Sequence, residues 1–343
     1  MNIVIESNIL KMPAEWEKHK ATWLSWPNDD DFFKEKIGNI EKIYVEIILH
    51  LHQGEYVNIV VLNQDVENRV KKMLEEKGVD LSQVVFFQTD YVDVWMRDYS
   101  PTFVKKEGEV VWIKWIYDGY NKKFLELLKD GEVFNDLNKV LNSKVTHMDY
   151  VMESGAFEVN GVGTLMTTMQ CLLENRNKGK TRAEYERLFS ENLGVNNFIW
   201  LNKGLFNDHT DGHIDEVARF VSPNKILCAY EENEQDENFE ILKENFEILE
   251  NSLDQNGNKF EVVKLPMPHM FYDDGEKAPV SYANFYIGNN VVLATVFGDP
   301  NDDKAVEIIQ ECFPDRKVVP INCRELIYGG GAIHCITAQE PLE

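Results

Sequence analysis

Gly329-Gly330-Gly331-Ala332-Ile333-His334-Cys335-Ile336-Thr337 is the stretch from which the rest of the chain is best read. Three consecutive glycines belong where a backbone turns sharply or passes close to a ligand. Here they run into an apolar, β-prone segment that carries one thiol. A cysteine delivered by such a turn is a candidate nucleophile; a buried structural cysteine beside a flexible turn is the alternative.

Moving outward, other polar residues punctuate the chain at similar intervals. Asp98, Glu153, His213 and Cys335 are separated by 55, 60 and 122 residues, the last being two steps of 61. Each follows a helix-then-strand unit. Helices are predicted where apolar residues recur at helical spacing: Ile40 to Leu51, Val66 to Leu74 (capped by Asp65, stopped by Gly78), Arg182 to Asn192, Phe239 to Leu253 and Asp302 to Phe313. A shorter one is expected around Phe124 to Leu128. Short apolar runs predict strands at 57–62, 84–87, 110–115, 145–148, 198–201, 218–221, 226–229, 261–265, 282–287, 291–295 and 318–320. Residues 157–159 and 164–168 read as a hairpin about Asn160-Gly161.

Strands and helices alternate throughout, which predicts the α/β class. No Pro/Ser-rich linker interrupts residues 1–343, so a single domain is expected. A period near 60 suggests about five similar units around an axis, each offering a strand end to one central site. No sequence similarity links the units, and chance spacing is the alternative.

Charge narrows the function. With 59 acidic against 35 basic residues the net charge is −24, which disfavours nucleic acid and anionic membrane surfaces and is compatible with a cationic substrate. The five cysteines (Cys171, Cys228, Cys312, Cys323, Cys335) are scattered and form no CxxC pair, so neither a zinc knuckle nor a disulfide framework is expected. Met1 to Lys11 has no basic, apolar leader pattern, and no apolar run approaches a membrane span. These readings describe a soluble, reduced, cytoplasmic protein. Three tryptophans, Trp16, Trp23 and Trp26, read as a packing anchor, and Asn28 to Asp31 as a polar loop.

Several groups could carry chemistry. His213-x-Asp215 places an imidazole and a carboxylate on one face of an extended segment, suited to acid–base work beside a cation. The wider set His209, Asp211, His213, Asp215 alternates likewise and could mimic a hydrolase metal site, while a polar turn about Gly212 is the plainer reading. Trp95-Met96-Arg97-Asp98 reads as an aromatic beside an Arg–Asp salt bridge. Glu153 ahead of Ser154-Gly155 reads as a capping carboxylate. Asn177-Lys178-Gly179-Lys180-Thr181 ends like a phosphate loop, but Glu174 stands where the first glycine is required, leaving a basic loop.

The segments Met12–Trp16, Trp23–Pro27, Trp95–Pro101, Glu153–Phe157, Gly161–Thr168, Cys171–Asn177, Thr210–Asp215, Ser281–Tyr286 and Gly329–Gln339 together resemble the agmatine deiminases of the porphyromonas-type peptidylarginine deiminase family. The resemblance spans nearly the whole chain, in order. It implies the pentein fold, a β/α-propeller of five ββαβ-type units about a pseudo-fivefold axis. It implies hydrolysis of agmatine to N-carbamoylputrescine and ammonia, a step toward putrescine and polyamines, with no metal or cofactor and with a dimer or larger assembly. By position, it implies Cys335 as nucleophile, His213 as general acid and base, and Asp98 and Asp215 as the carboxylates gripping the guanidinium. Glu153 would orient His213, Trp95 would flank the substrate, and Asp208 would meet the far amine. The alternatives are a deiminase of peptidyl-arginine or free arginine, a metal-dependent hydrolase using His209, Asp211, His213 and Asp215, and a non-catalytic binder on the same scaffold.

Overall fold

The protein is described by a computed structural model covering residues 10–28 and 33–343. Most of Met1 to Lys11 and most of the Asn28–Asp31 loop therefore lie outside the described residues.

Among the described residues the backbone builds five small sheets, four of them from consecutive strands. Strands β1 (His19–Ser25), β2 (Tyr56–Val61) and β3 (Val84–Gln88) run parallel in the first. In the second, β4 (Thr102–Lys106) pairs antiparallel with β5 (Glu109–Ile116), which pairs parallel with β6 (Val145–Val151). The same antiparallel-then-parallel pattern joins β7 (Phe157–Val159), β8 (Thr164–Thr168) and β9 (Asn197–Leu201). It recurs in β10 (Ala218–Ser222), β11 (Lys225–Tyr230) and β12 (Glu261–Pro266), and in β13 (Tyr286–Ile287), β14 (Val291–Val296) and β15 (Lys317–Asn322). Finally β16 (Ala338–Pro341) returns to pair antiparallel with β1, giving the first sheet the same pattern and joining the two ends of the described chain.

A parallel pair needs a crossover, and each is supplied by a helical segment. Ile37–Leu51 links β1 to β2, Val133–Leu141 precedes β6, and Arg182–Leu193, Phe239–Asn251 and Asp302–Cys312 serve the remaining sheets. Each buries one apolar stripe; Leu242, Phe246 and Leu249 do so in Phe239–Asn251. The basic loop that fails as a phosphate site ends in Thr181, which caps Arg182–Leu193 in a reciprocal box with Glu184. The helix expected to be capped by Asp65 spans Gln64–Glu76 and is capped instead by Asn63, whose side chain accepts the Asp65 and Val66 N–H groups. Trp23 and Trp26 are buried packing residues, as expected, but the segment holding Trp23 is also a strand.

Apolar side chains fill the spaces between neighbouring sheets. Val104, Trp115, Phe157 and Phe189 belong to one cluster, between the second and third sheets. Met166, Ile199, Phe220 and Leu249 belong to another, between the third and fourth. With the core between sheets, the turn just ahead of each sheet's first strand is left to face a common centre. Asp98 precedes β4, Glu153 precedes β7, Asp215 precedes β10, Asn284 precedes β13 and Cys335 precedes β16. No helix among the described residues is long and apolar enough to cross a membrane.

Candidate active site

Cys335 lies in a turn between the glycines and β16, not in a strand as its β-prone neighbours predict. The turn is left-handed at Gly330 (φ 104°), where a side chain is strained, and an added Cβ at Gly331 would lie 2.9 Å from the Cys335 Cβ. The Arg97 N–H donates to the Cys335 carbonyl at 3.0 Å, which ties this turn to the one carrying Asp98. Arg97 itself does not pair with Asp98. Its guanidinium reaches the His334 carbonyl and Gln339, and stands 3.5 Å from Glu15.

His213 is fully buried at the end of a loop that Asp208 organises. The Asp208 carboxylate accepts the N–H groups of Thr210 (2.8 Å), Gly212 (2.8 Å) and His213 (3.2 Å). Asp211 and Gly212 are left-handed (φ 65° and 100°), and Ile214–Glu216 is a short 3-10 turn. The alternation argued for His209, Asp211, His213 and Asp215 therefore does not apply, because the segment is not extended. Those four side chains part company. His209 lines the pocket, Asp211 pairs with Arg176 and Lys123, His213 faces Asp98 and Glu153, and Asp215 meets His334. They do not assemble a metal site. A different trio, Glu153, Cys171 and His213, is close enough to share an ion. There the Arg176 cation already occupies Glu153, and burial pushes the Cys171 thiol far up, so the donor set is poorly suited to one.

His213 stands between two carboxylates. Its Nδ1 is 3.8 Å from Asp98 Oδ1 and its Nε2 is 3.7 Å from Glu153 Oε2. Burial alone lowers the imidazole pKa, but the charges of Asp98 and Glu153 outweigh it and hold His213 at about 9. Burial, with Asp215 and Glu153 nearby, raises Asp98 to about 6 against the pull of His213 and the Tyr120 hydroxyl, which donates to Asp98 at 2.7 Å. Burial would raise Glu153 too; the Arg176 charge, together with His213, overrides it and sets Glu153 at about 2. Glu153 is thus no helix cap. Arg176 Nε donates to both of its oxygens at 3.0 Å and continues to Asp211 and the Thr210 carbonyl.

On the other side of the thiol, Asp215 Oδ2 is 3.9 Å from Cys335 Sγ and 2.7 Å from His334 Nδ1. Glu216 Oε1 lies 3.8 Å from the sulfur. Burial, then the charges of Asp215, Glu216 and Asp98, hold the thiol well above its ordinary range. Asp98 Oδ1, Asp215 Oδ1, Glu216 Oε2 and both His213 nitrogens are buried and take no hydrogen bond from the protein. So many orphaned polar atoms in one place are a strong sign of a site built for a hydrogen-bonding ligand.

A narrow pocket of about 90 Å³ opens onto Cys335 and Asp98, walled by Trp95, Tyr120, Phe124, Tyr328 and Gly329 to Gly331. Trp95 is set by its Nε1–H donating to Asp93 at 2.6 Å. Cys335, His213, Asp98, Asp215, Glu153 and Trp95 thus lie around one centre. Asp208 does not join them: it is outside the pocket lining and its oxygens serve the His213 loop. Sequence reasoning passed over Arg176, Asn284, Glu216 and Tyr120. Two of these, Arg176 and Asn284, fall inside the segments Cys171–Asn177 and Ser281–Tyr286 that carry the resemblance, which was the available signal.

Residues 11–341 match the model of the Porphyromonas-type peptidyl-arginine deiminase family. The chain belongs to this family. A relative in Pseudomonas aeruginosa, named agmatine deiminase, is 33% identical over 356 residues, covering 96% of this chain and 95% of its own. Among solved structures, the agmatine deiminase of Enterococcus faecalis superposes with a TM-score of 0.89 at 27% identity, over 99% of each chain. A Cys-to-Ser variant of the C. jejuni agmatine deiminase with substrate bound gives 0.88 at 26% identity, over 99% and 98%. An amidinotransferase from Microseira wollei shares the fold alone, with a TM-score of 0.54 at 13% identity over 97% and 96% of the chains. The five-unit arrangement is therefore the pentein propeller that the resemblance implied.

Proposed function

We propose that the chain is an agmatine deiminase that hydrolyses agmatine to N-carbamoylputrescine, a polyamine precursor, and ammonia. One observation carries the reading. The Cys335 thiol faces two buried carboxylates, Asp98 and Asp215, each with an oxygen that takes no hydrogen bond from the protein. A guanidinium is planar and cationic at physiological pH, and carboxylates flanking it fix its plane for attack through charge-assisted bonds. Among the described residues, the pocket lining contains no Lys or Arg to meet an α-carboxylate. Arg219 is buried and paired with Glu15 and Glu158. This favours agmatine over free arginine. Aromatic walls flank the tail.

The chemistry follows from the charges. In the free site the thiol is protonated. A cation seated between Asp98 and Asp215 offsets the carboxylates that hold the proton there, so the thiol proton departs to solvent as substrate enters. Cys335 Sγ then attacks the guanidinium carbon. His213, already protonated at neutral pH, passes its proton to the leaving nitrogen, and ammonia departs from a covalent S-alkylthiouronium. Neutral His213 takes a proton from water, whose oxygen adds to the same carbon. Collapse of that adduct expels the sulfur and frees the ureido product. Glu153, anchored by Arg176, keeps the imidazole in place and charged for the first half. Five unpaired cysteines suit a reducing compartment, and a cytoplasmic location is part of the same reading.

The test is ammonia release from agmatine, free arginine and a peptide ending in arginine, by wild type and Cys335→Ala. Agmatine turnover by wild type alone supports the proposal. Preference for either of the other guanidines overturns the substrate, and equal release by both proteins overturns the nucleophile.

A further inference from the structure

If Asp215 is to hold a cation in a fixed plane, something must hold Asp215. Its two oxygens have different surroundings. Oδ1 is buried and takes no hydrogen bond from the protein, which leaves it for a ligand. Oδ2 lies 2.7 Å from Nδ1 of His334, and Nε2 of the same ring lies 2.8 Å from Glu15 Oε2. All three side chains are buried. An unprotonated ring nitrogen would set lone pair against lone pair at such distances, so each of the two contacts contains a proton. The ring orientation follows from the same contacts, because a flip would place carbon atoms against both carboxylates.

Glu15 is the fixed end of this chain. Arg219 stands 3.0 Å from its Oε1, which also accepts the Ile287 N–H at 2.8 Å, and Arg97 stands 3.5 Å from its Oε2. These partners come from β10, from β13 and from the turn before β4. The backbone of His334 is placed as firmly. Its N–H donates to Asn284 Oδ1 at 3.0 Å, and its carbonyl accepts from Arg97 Nε at 3.2 Å. Burial opposes the charged form of Asp215, but the hydrogen bond and charge of His334 outweigh it and hold the carboxyl below its ordinary range.

We propose that His334, backed by Glu15, is a positioning residue for Asp215: it binds Oδ2 and so leaves Oδ1 oriented for the guanidinium. With both ring nitrogens engaged by carboxylates, His334 is no proton carrier for the reaction. Its work mirrors that of Glu153, which Arg176 anchors and which in turn steadies His213. Because His334 immediately precedes Cys335, the turn that delivers the sulfur also delivers the clamp on the carboxylate opposite it. This inference rests on the deiminase reading.

The test compares His334→Asn with His334→Gln. An Asn amide takes the place of Nδ1 and still donates to Asp215; a Gln amide takes the place of Nε2 and reaches Glu15 instead. Agmatine binding is measured by calorimetry in a Cys335→Ser background, kcat/KM with the cysteine present, and Tm throughout. His334→Gln should weaken binding and kcat/KM by about 10- to 100-fold, and His334→Asn by clearly less. Glutamine is nearer to histidine in length, so a side chain that only fills space would be replaced better by Gln. Gln equal to or better than Asn therefore overturns the proposal, as do two variants that bind like the parent. Should both fail to fold, Glu15→Gln is the second variant, since it keeps His334 and removes the charge behind it; agmatine binding unchanged there overturns the proposal, and weakened binding at a retained Tm supports it. Absence of agmatine turnover by wild type, or full binding by Asp215→Asn, would instead mark failure of the deiminase reading.

Discussion

Substituting Gly155 by alanine should disable the enzyme without unfolding it. The backbone there is outside the left-handed region, so alanine meets no conformational penalty. What it meets is the site. Its Cβ would stand 2.6 Å from His213 Nδ1, 2.9 Å from Asp98 Oδ1 and 3.1 Å from His213 Cε1. An unstrained contact of this kind is about 3.5 Å, so the imidazole must retreat by about 1 Å. The ring cannot retreat freely, because Glu153 stands behind Nε2 at 3.7 Å and is itself locked by Arg176. A misplacement of about 1 Å at a reacting group costs on the order of 10²-fold, or about 2.7 kcal/mol of barrier. The loss should appear mainly in kcat, since the group displaced is the proposed proton donor and not part of the pocket wall. Ammonia release gives kcat and KM, and thermal unfolding gives Tm. Gly38→Ala is the control: nothing lies within 4 Å of the new methyl, on an exposed turn of the Ile37–Leu51 helix, where alanine favours the helix by roughly 0.5–1 kcal/mol. Gly155→Ala activity within threefold of wild type would refute the close packing of Gly155 against the His213–Asp98 pair.

Further outcomes follow from the charges. The kcat/KM profile for agmatine should rise through about pH 6 as Asp98 ionises and fall through about pH 9 as His213 loses its proton; a profile flat from pH 5 to 10 would contradict both assignments. Because the His213 pKa is raised on folding, its stabilising contribution is complete below about pH 6.5 and disappears as pH rises through about 9. His213→Gln should accordingly lose less Tm than wild type between pH 7 and 9, and parallel curves would count against the ion-pair account. Arg176→Ala leaves Glu153 buried without its partner and should cost about 3 kcal/mol or more in urea unfolding, with Arg176→Lys only partly restoring it because a lysine cannot span Glu153, Asp211 and the Thr210 carbonyl. An Arg176→Ala protein of wild-type stability would show that pair to be dispensable.

Much of this was legible in the chain. Apolar periodicity marks Ile37–Leu51 and Phe239–Asn251 because each buries one stripe, and Asn160-Gly161 marks its hairpin because the turn needs left-handed backbone at Gly161 (φ 71°). The spacing of Asp98, Glu153, His213 and Cys335 reflects a real repeat, since each lies in the turn before the first strand of a unit. The fifth such residue is Asn284, 71 residues after His213 and 51 before Cys335. Its side chain is neutral, so a search for titratable groups slides past it. Arg176 is hidden for another reason: nothing local says whether a basic residue near Lys178 and Lys180 faces water or a buried Glu153. His213 and Asp215 both face the centre, but not through the extended geometry argued for His213-x-Asp215. Strand alternation does not survive two left-handed residues and a 3-10 turn, and the side chains converge through tertiary packing instead. Strand β16 was unreadable because its pairing partner, β1, lies at the opposite end of the chain.

That closure carries a consequence for how the protein comes into being. Cys335 sits three residues before the strand that seals the ring, and in chain order it follows Asp98, Glu153, His213 and Asp215. Every acid and base of the centre is already synthesised while the sulfur is still missing. When Cys335 emerges, its turn gains its fixed position as β16 docks against β1 and as Arg97 and Asn284 take hold of the backbone. A chain truncated before that point would keep Asp98, His213 and Asp215 and lack the sulfur. Placement of the sulfur in the centre and closure of the ring are thereby the same event.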